Sequence, residues 1–339
     1  MEKIVFDSSR PLDLAALGRV NIDLNPVDHF QPWKDCQTFR KYVGGSPANI
    51  TVGMARLGKK ATLIGCISDD QMGLYCKEYL QEQGVDTGDL VLARHGEHLS
   101  IAFTEIVSPT VCNLTMYRDA VADLQLEVGD VREATIASAK LLLISGTSLS
   151  ASPSREAALT AIELARKVGT PILFDIDYRP WIWKSPEEIA VYYTLAARQA
   201  DLIVGSREEY DMTDSVLYPG LDDAATAKRW FGERARLVII KHGKRGSVAY
   251  TRDGEVYTVK PFPVSALKST GGGDAYGSAL LYGMLEDWPL ARCLEFASAS
   301  ASMVIASISC SDDMPTAEAI TEFIAKEKAL YGEMVTAGI

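Results

Sequence analysis

LLLIS (141–145), SREAALTAIELARKV (154–168), ILFD (172–175), PEEIAVYYTLAAR (186–198) and LIVG (202–205) follow one another in a single stretch of the chain. Each short run is near-continuous in apolar residues, as strands covered on both faces of a parallel sheet must be. The longer segments repeat apolar residues at helical spacing. Pro153 and Pro186 suit helix first turns, and Gly169 suits a helix end. Strand, helix, strand, helix, strand is the rhythm of βαβ units. It predicts a doubly wound, mainly parallel sheet flanked by helices, with a ligand at the carboxyl ends of the strands.

The same rhythm extends outward in both directions. Leu14–Gly18, Ala61–Cys66 and Leu237–Lys241 read as further strands, and Ala48–Leu57, Gly73–Gln83 and Ala224–Phe231 as helices, with Gly58 and Gly84 at helix ends. Beyond Lys241 the pattern changes to hairpin-like strands at Gly246–Thr251 and Glu255–Val259. Helices at Gly273–Leu285, Leu290–Ile308 and Thr316–Leu330 follow. Ala and Ser dominate the second of these, which predicts close helix packing. Residues 27–43 and 98–118 interrupt the rhythm with alternating, partly polar extended segments such as TFRKYV and LSIAFTEIV. These form either a small second sheet over the site or a pair of edge hairpins.

The 339 residues are 47% hydrophobic and 23% charged, enough apolar content for a sizeable core without disulfides or structural metals. A net charge of −11 with no basic block excludes an electrostatic footprint for nucleic acid. The six cysteines form no C-x-x-C pair, which points to free thiols in a reducing compartment. The first residues lack a basic segment followed by a signal-type apolar stretch, and no run approaches the roughly 18 apolar residues of a membrane span. The expectation is a cytoplasmic protein with no membrane partner.

The chemistry concentrates in Lys268-Ser-Thr-Gly-Gly-Gly-Asp-Ala-Tyr-Gly277. Three glycines directly before a helix leave backbone N–H groups open at its positive end, an arrangement that cradles an anion. Asp274 on the first turn is placed to take a proton from an attacking hydroxyl while that cradle holds a phosphoryl group. The same residue could equally serve as a helix cap. Two rival phosphate motifs fail. In Gly53-Met-Ala-Arg-Leu-Gly58-Lys59-Lys60 a lysine replaces the Mg²⁺-binding Ser/Thr of a P-loop, and the run ends a helix instead of starting one. Around Gly271 a dinucleotide fingerprint needs glycine where Tyr276 stands, and Gly18-Arg-Val-Asn-Ile-Asp23 supplies none after the first strand.

Lys268–Leu281 is similar to the C-terminal signature of the ribokinase (PfkB) family of sugar kinases. Gly44-Gly-Ser-Pro-Ala-Asn49, followed by Leu57-Gly58, Gly65 and Asp70-x-x-Gly73, resembles its N-terminal signature. The two occur in the family's order, and the resemblance runs from about Leu12 to Leu330. It implies a ribokinase-like core over residues 1–26, 44–97 and 119–339, with a β lid over 27–43 and 98–118 that also forms a homodimer interface. ATP and Mg²⁺ are the implied cofactors. Asp274 becomes the base, and Gly271, Gly272 and Gly273 the anion hole. Asp23, Gly45 and Asn49 become ligands of sugar hydroxyls. Lys241, Gly243 and Gly246 fall on the nucleotide side with Thr270 and Lys268. Glu208, in Gly205-Ser-Arg-Glu208, takes the acidic place of an Asn-x-x-Glu motif that organises Mg²⁺; Gly205 replaces its asparagine.

Finer likeness in GRVNIDL, MYRDAVADLQL and FDIDYRPWIW implies a keto-acid sugar phosphorylated on its terminal hydroxyl. A carboxylate needs a fixed cation, for which guanidinium forks are best suited. Arg179, Arg118 and Arg19 are the candidates, while Arg40 reads as a surface residue. A 2-keto-3-deoxygluconate kinase, a fructokinase and a sugar-binding regulator without catalysis stand as alternatives. Asp175 and Asp177 share a strand face, so that one orients Arg179 and the other meets Mg²⁺ through water; Asp177 is taken as the metal residue. Many family members carry aspartate, beside a monovalent cation, where this chain has Lys268. An ammonium there supplies the charge itself, which implies activity independent of K⁺. His95 and His98 read as a solvated loop, Trp181 and Trp183 as packing residues. Asp312 and Asp313 either border the nucleotide pocket or form a solvated turn.

Overall fold

A computed structural model describes residues 4–108 and 111–338, arranged as two sheets and ten α-helices. The strands are β1 (Leu14–Leu17), β2 (Asn21–Pro26), β3 (Phe39–Gly44), β4 (Ala61–Ile67), β5 (Leu90–Leu92), β6 (Ile101–Ser108) and β7 (Val111–Tyr117). The second half adds β8 (Leu142–Ser145), β9 (Ile172–Asp175), β10 (Leu202–Ser206), β11 (Leu237–Lys241), β12 (Ser247–Thr251), β13 (Val256–Val259) and β14 (Val335–Ala337). The helices are α1 (Ser46–Arg56), α2 (Gln71–Glu82), α3 (Glu133–Ser138), α4 (Ser154–Val168) and α5 (Pro186–Ala197). They continue as α6 (Arg207–Asp214), α7 (Asp223–Phe231), α8 (Gly272–Leu285), α9 (Leu290–Ile305) and α10 (Ala317–Tyr331).

The large sheet runs β14-β13-β12-β11-β10-β9-β8-β1-β4-β5. From β11 to β5 every pairing is parallel, and β12, β13 and β14 close the other end antiparallel. Alternate residues of each inner strand enter opposite cores. Leu14, Ala16, Leu143 and Ile239 pack with α1, α8 and α9, whereas Ala15, Leu17, Ile144 and Ile240 pack with α4, α5 and α7. That two-sided burial is why the strands read as unbroken apolar runs. From β1 the chain passes to β4 on one side and later to β8 on the other. The order therefore reverses between β1 and β8, and their carboxyl ends open a crevice there.

The small sheet has the order β3-β2-β6-β7 and settles the interruption in favour of a second sheet over paired edge hairpins. Its membership corrects one boundary. Residues 21–26, placed with the core by a division at 26, pair along their whole length with β3 and also with β6. Residues 109–110 of the second expected lid segment lie outside the described residues.

Helix α4 matches its expected limits, with Gly169 closing it in the left-handed conformation at φ 71°. Helix α9 stops at Ile305, short of the expected Ile308, because its last carbonyls leave the helix pattern: Ile305 O accepts from Leu267 N and Lys268 N. Helices α8 and α9 form the most extensive helix pair in the molecule, permitted by small buried residues such as Ala297, Ala299 and Ser300. The short elements β5, β14, α3 and α6 had no periodic signal strong enough to mark them.

Candidate active site

Four chain segments meet at the crevice: the turn after β1, the β3–α1 junction, the segment after β9, and the loop that opens α8. Asp274 is the third residue of α8, and both its carboxylate oxygens are occupied. Ser46 Oγ donates to Oδ1 at 2.8 Å and Asn49 Nδ2 to Oδ2 at 2.7 Å. Asn49 Oδ1 is buried without a partner. Ser46 also lies 2.9 Å from Asp175 Oδ2, so one hydroxyl bridges two carboxylates. Burial, with Asp177, Glu209 and Asp274 nearby and Lys241 opposing, pushes the Asp175 carboxyl well above the usual range.

The glycine loop is shaped by what surrounds it. Gly271 caps α8 at φ 83°, and a Cβ there would lie 2.4 Å from Cys310 Sγ and 3.2 Å from Lys268 Nζ. Only glycine fits such a position. Next to it, a Cβ on Gly273 would stand 3.3 Å from Lys241 Nζ, which sets an ammonium at the mouth of the N–H cradle. Burial opposes that charge, but Glu209, Asp175 and Asp274 hold the Lys241 pKa above its ordinary value. A cleft of about 480 Å³ opens from this point and is lined by Lys241, Gly243, Gly246, Gly272 and Gly273 among others. Thr270 contributes its main-chain carbonyl, which accepts from Lys268 Nζ at 2.8 Å.

On the other side of Asp274, Asp23 reaches over the β3–α1 junction. A Cβ on Gly44 would fall within 2.2–2.4 Å of its carboxylate, which explains the first glycine of the Gly44-Gly45 pair. Asn21 Nδ2 donates to Asp23 Oδ1 at 2.6 Å. Asp23 keeps a partly open face, yet enough protein lies over it for desolvation to push its carboxyl up to about 6. Gly45 follows at φ 101° as the cap of α1.

Beyond Asp23 lies a group of guanidinium side chains. Asp177, at the unusual φ of 40°, turns both oxygens toward them. Its Oδ2 accepts from Arg19 Nη1 at 2.5 Å and from Ser145 Oγ at 3.0 Å, and its Oδ1 pairs with Arg179 Nη2 at 2.8 Å. Burial works against its charge, but Arg179 and Arg19 prevail and hold the carboxyl well below the usual range. Arg118 pairs with Asp123, and both are buried. Among the described residues, Arg118 Nε and Nη1, Arg19 Nε and Arg179 Nε have no hydrogen-bond partner.

These contacts bear on two expectations. Asp177, expected to meet Mg²⁺ through water, gives its oxygens to Arg19, Ser145 and Arg179. Glu208 is exposed on α6, and Glu209 is the residue that turns inward. Its Oε2 accepts from Ser206 N at 2.6 Å and its Oε1 from Tyr178 N at 3.0 Å, and its charge bears on Lys241, Asp175 and Arg179. Ser206-Arg-Glu-Glu209 is a capping box, so the acidic position sits one residue later than the Gly205 alignment suggested. Among the described residues no cluster of three metal-ligating side chains occurs.

No sequence signal marks Ser46 as the partner of Asp274 or joins it to Asp175. Ser46 lies within the Gly44–Asn49 motif, and no spacing rule links positions 46, 175 and 274. Of the other residues singled out, Trp183 packs edge-on against Tyr193, whereas Trp181 is exposed. Asp312 accepts from Tyr79 OH and Asp313 from Ser309 N, so both hold the turn before α10. The His98 ring is exposed and lies 3.4 Å from an Asp70 carboxylate oxygen.

Comparison with known proteins agrees with this geometry. Residues 12–317 match the pfkB family carbohydrate kinase profile. The chain is 53% identical over 335 residues to a 5-dehydro-2-deoxygluconokinase of Clostridium perfringens, covering 99% of each. It is 49% identical over 329 residues to a protein of the same name from Geobacillus thermodenitrificans, covering 97% of this chain and 98% of that one. In fold it is similar to the crystal structure of a fructokinase with bound ATP from Xylella fastidiosa. The TM-score is 0.82 at 23% identity, covering 93% of this chain and 99% of that one.

Proposed function

The chain belongs to the pfkB family of carbohydrate kinases, and on that premise we propose that it phosphorylates the terminal hydroxyl of 5-dehydro-2-deoxy-D-gluconate with ATP. The observation that carries the choice of an acidic sugar is the group of buried guanidinium donors beyond Asp23. Arg118 Nε and Nη1, Arg19 Nε and Arg179 Nε lack partners among the described residues, and a substrate carboxylate supplies them. A neutral sugar would leave them unpaired.

In this reading Asp274 accepts the proton of the attacking hydroxyl, while Ser46 and Asn49 fix its two oxygens. Asp23 and Asn49 Oδ1 hold sugar hydroxyls. The N–H groups of Gly271–Gly273 and the Lys241 ammonium meet the charge that develops on the transferring phosphoryl group. The cleft beside Gly243 and Gly246 takes the nucleotide. The inward carboxylates of Glu209 and Asp175 fit a Mg²⁺ ion that would be held largely by the nucleotide's phosphates and by water. Glu209 would face it through water, and its contribution there is neutralisation of phosphate charge.

Two further readings follow from the same family. The small sheet acts as a lid and dimer interface. Its outer face carries Trp33, Phe39, Phe103 and Tyr117 in ring contact at 5.1–6.0 Å, with Trp33 46% and Tyr117 64% exposed. Light scattering is expected to give a dimer, and Phe103→Asp a monomer. No described helix is long and apolar enough to cross a membrane, and six cysteines outside any disulfide among the described residues, four of them buried, fit the cytoplasm.

The test of the activity is ADP formation with MgATP and a panel of 5-dehydro-2-deoxygluconate, 2-keto-3-deoxygluconate, fructose and ribose. The first compound is expected to dominate. Asp274→Asn is expected to lower kcat by roughly 10²–10⁴-fold while still binding nucleotide. Dominance of fructose would overturn the substrate, and full activity of the variant would overturn the base.

A further inference from the structure

We propose that the ammonium group of Lys268 is a built-in monovalent cation for the anion-binding loop, so that phosphoryl transfer proceeds without bound K⁺. Lys268 is only 1% exposed. Among the described residues it pairs with no carboxylate. Its Nζ donates to Thr270 O at 2.8 Å and Val304 O at 3.3 Å, and contacts Cys310 Sγ at 3.6 Å. A buried ammonium without a counter-ion is costly unless oriented dipoles or a task hold it there.

Both are present. Val304 lies in the last turn of α9, the negative end of the helix, and its carbonyl also accepts from Ser307 N and Oγ. Thr270 O belongs to the residue immediately before the cap of α8. Main-chain carbonyls converging without a carboxylate are the environment in which a desolvated K⁺-sized ion is held, and an ammonium brings the same charge with its own donors. Position is fixed from behind, because Lys268 N and Leu267 N both donate to Ile305 O. The charge is aimed at the loop, since a Cβ on Gly271 would lie 3.2 Å from Nζ. Lys268 therefore reinforces the N–H cradle at Gly271, while Lys241 stands by Gly273, and both residues border the cleft. It is a positioning residue that acts through the loop. The inference rests on the kinase reading but not on which sugar is phosphorylated.

The test compares wild type with Lys268→Ala in chloride salts of K⁺, Na⁺ and tetramethylammonium at one ionic strength. Wild-type rates are expected to agree in all three. In tetramethylammonium, Lys268→Ala is expected to lose roughly ten- to a hundred-fold in kcat, somewhat less than removal of a direct oxyanion donor. K⁺ or NH₄⁺ is expected to restore part of that loss by entering the vacated space, and to leave Lys268→Met, which fills the space, unrestored. Thermal unfolding provides a readout that needs no turnover: K⁺ should raise the melting temperature of the alanine variant and not that of wild type. Activation of wild type by K⁺ of more than about tenfold, or equal behaviour of the alanine variant in every salt, overturns the proposal. If the variants do not fold, the wild-type salt comparison decides alone. Absence of ADP formation with any sugar in any salt would strike the kinase reading instead, and the melting data would still judge the cation site.

Discussion

Removing one oxygen atom tests how Asp274 is held. Ser46 is buried at the first position of α1, and its hydroxyl lies 2.8 Å from Asp274 Oδ1 and 2.9 Å from Asp175 Oδ2. Ser46→Ala deletes that bridge and leaves helix α1 intact, since alanine is a good helix former at that position. Asn49 still holds Oδ2 at 2.7 Å, so the carboxylate keeps one of two anchors. A hydrogen bond to a charged group is worth about 1.5–3 kcal/mol. If that orientation is expressed mainly in the transition state, kcat falls roughly 10- to 150-fold, at tenfold per 1.36 kcal/mol. The assay is steady-state ADP formation, with nucleotide affinity by calorimetry and thermal unfolding as controls. Both controls are expected to stay near wild type. A folded variant with kcat within about two-fold of wild type would refute the claim that this hydroxyl aims the base.

Three other outcomes follow. Gly271→Ala places a methyl group at φ 83° and 2.4 Å from Cys310 Sγ. It is expected to cost about 2–5 kcal/mol in unfolding experiments, and adding Cys310→Ala should recover the steric part only. Arg118→Lys keeps a charge beside Asp123 but loses the planar fork, and is expected to raise KM for the acidic sugar roughly ten-fold or more with a smaller effect on kcat. Asp23 is pushed up to about 6 by burial, so the folded state holds a proton that the unfolded chain releases near pH 4. Its contribution to stability therefore declines from about pH 4 to 6 and stays lower above that. Asp23→Asn, which cannot ionise, is expected to be more stable than wild type at pH 8 by about 1–3 kcal/mol and close to it at pH 4, as read from denaturant unfolding.

The large sheet was legible in the sequence because its inner strands are covered on both sides. Leu141–Ser145 and Ile172–Asp175 leave no polar face, so periodicity and burial carry the same message. The edges were not legible for the complementary reason. Val335–Ala337 is a three-residue strand with little buried surface, and only its pairing with β13 makes it a strand. The boundary at residue 26 failed similarly. Asn21–Pro26 mixes polar and apolar residues, and its place is decided by partners at 39–44 and 101–103 that no local signal announces.

The candidate site divides along the same line. Positions read from backbone chemistry, such as Gly271 and Asp274, could be found because a glycine run before a helix has a local physical meaning. Motif spacing counted from Gly205 points to Glu208. The capping box instead starts at Ser206, whose hydroxyl is what the helix start requires. Asp177 reads as a metal residue beside Asp175 in sequence, whereas in the fold Arg19 and Arg179 engage both its oxygens. Ser46, Asp175 and Asp274 lie on three separate segments that only the reversal of strand order between β1 and β8 brings to one point. A contact of that kind has no sequence period. It is created by the crossing of the chain at the crevice, and so the groups that aim the base were the ones that had to wait for the fold.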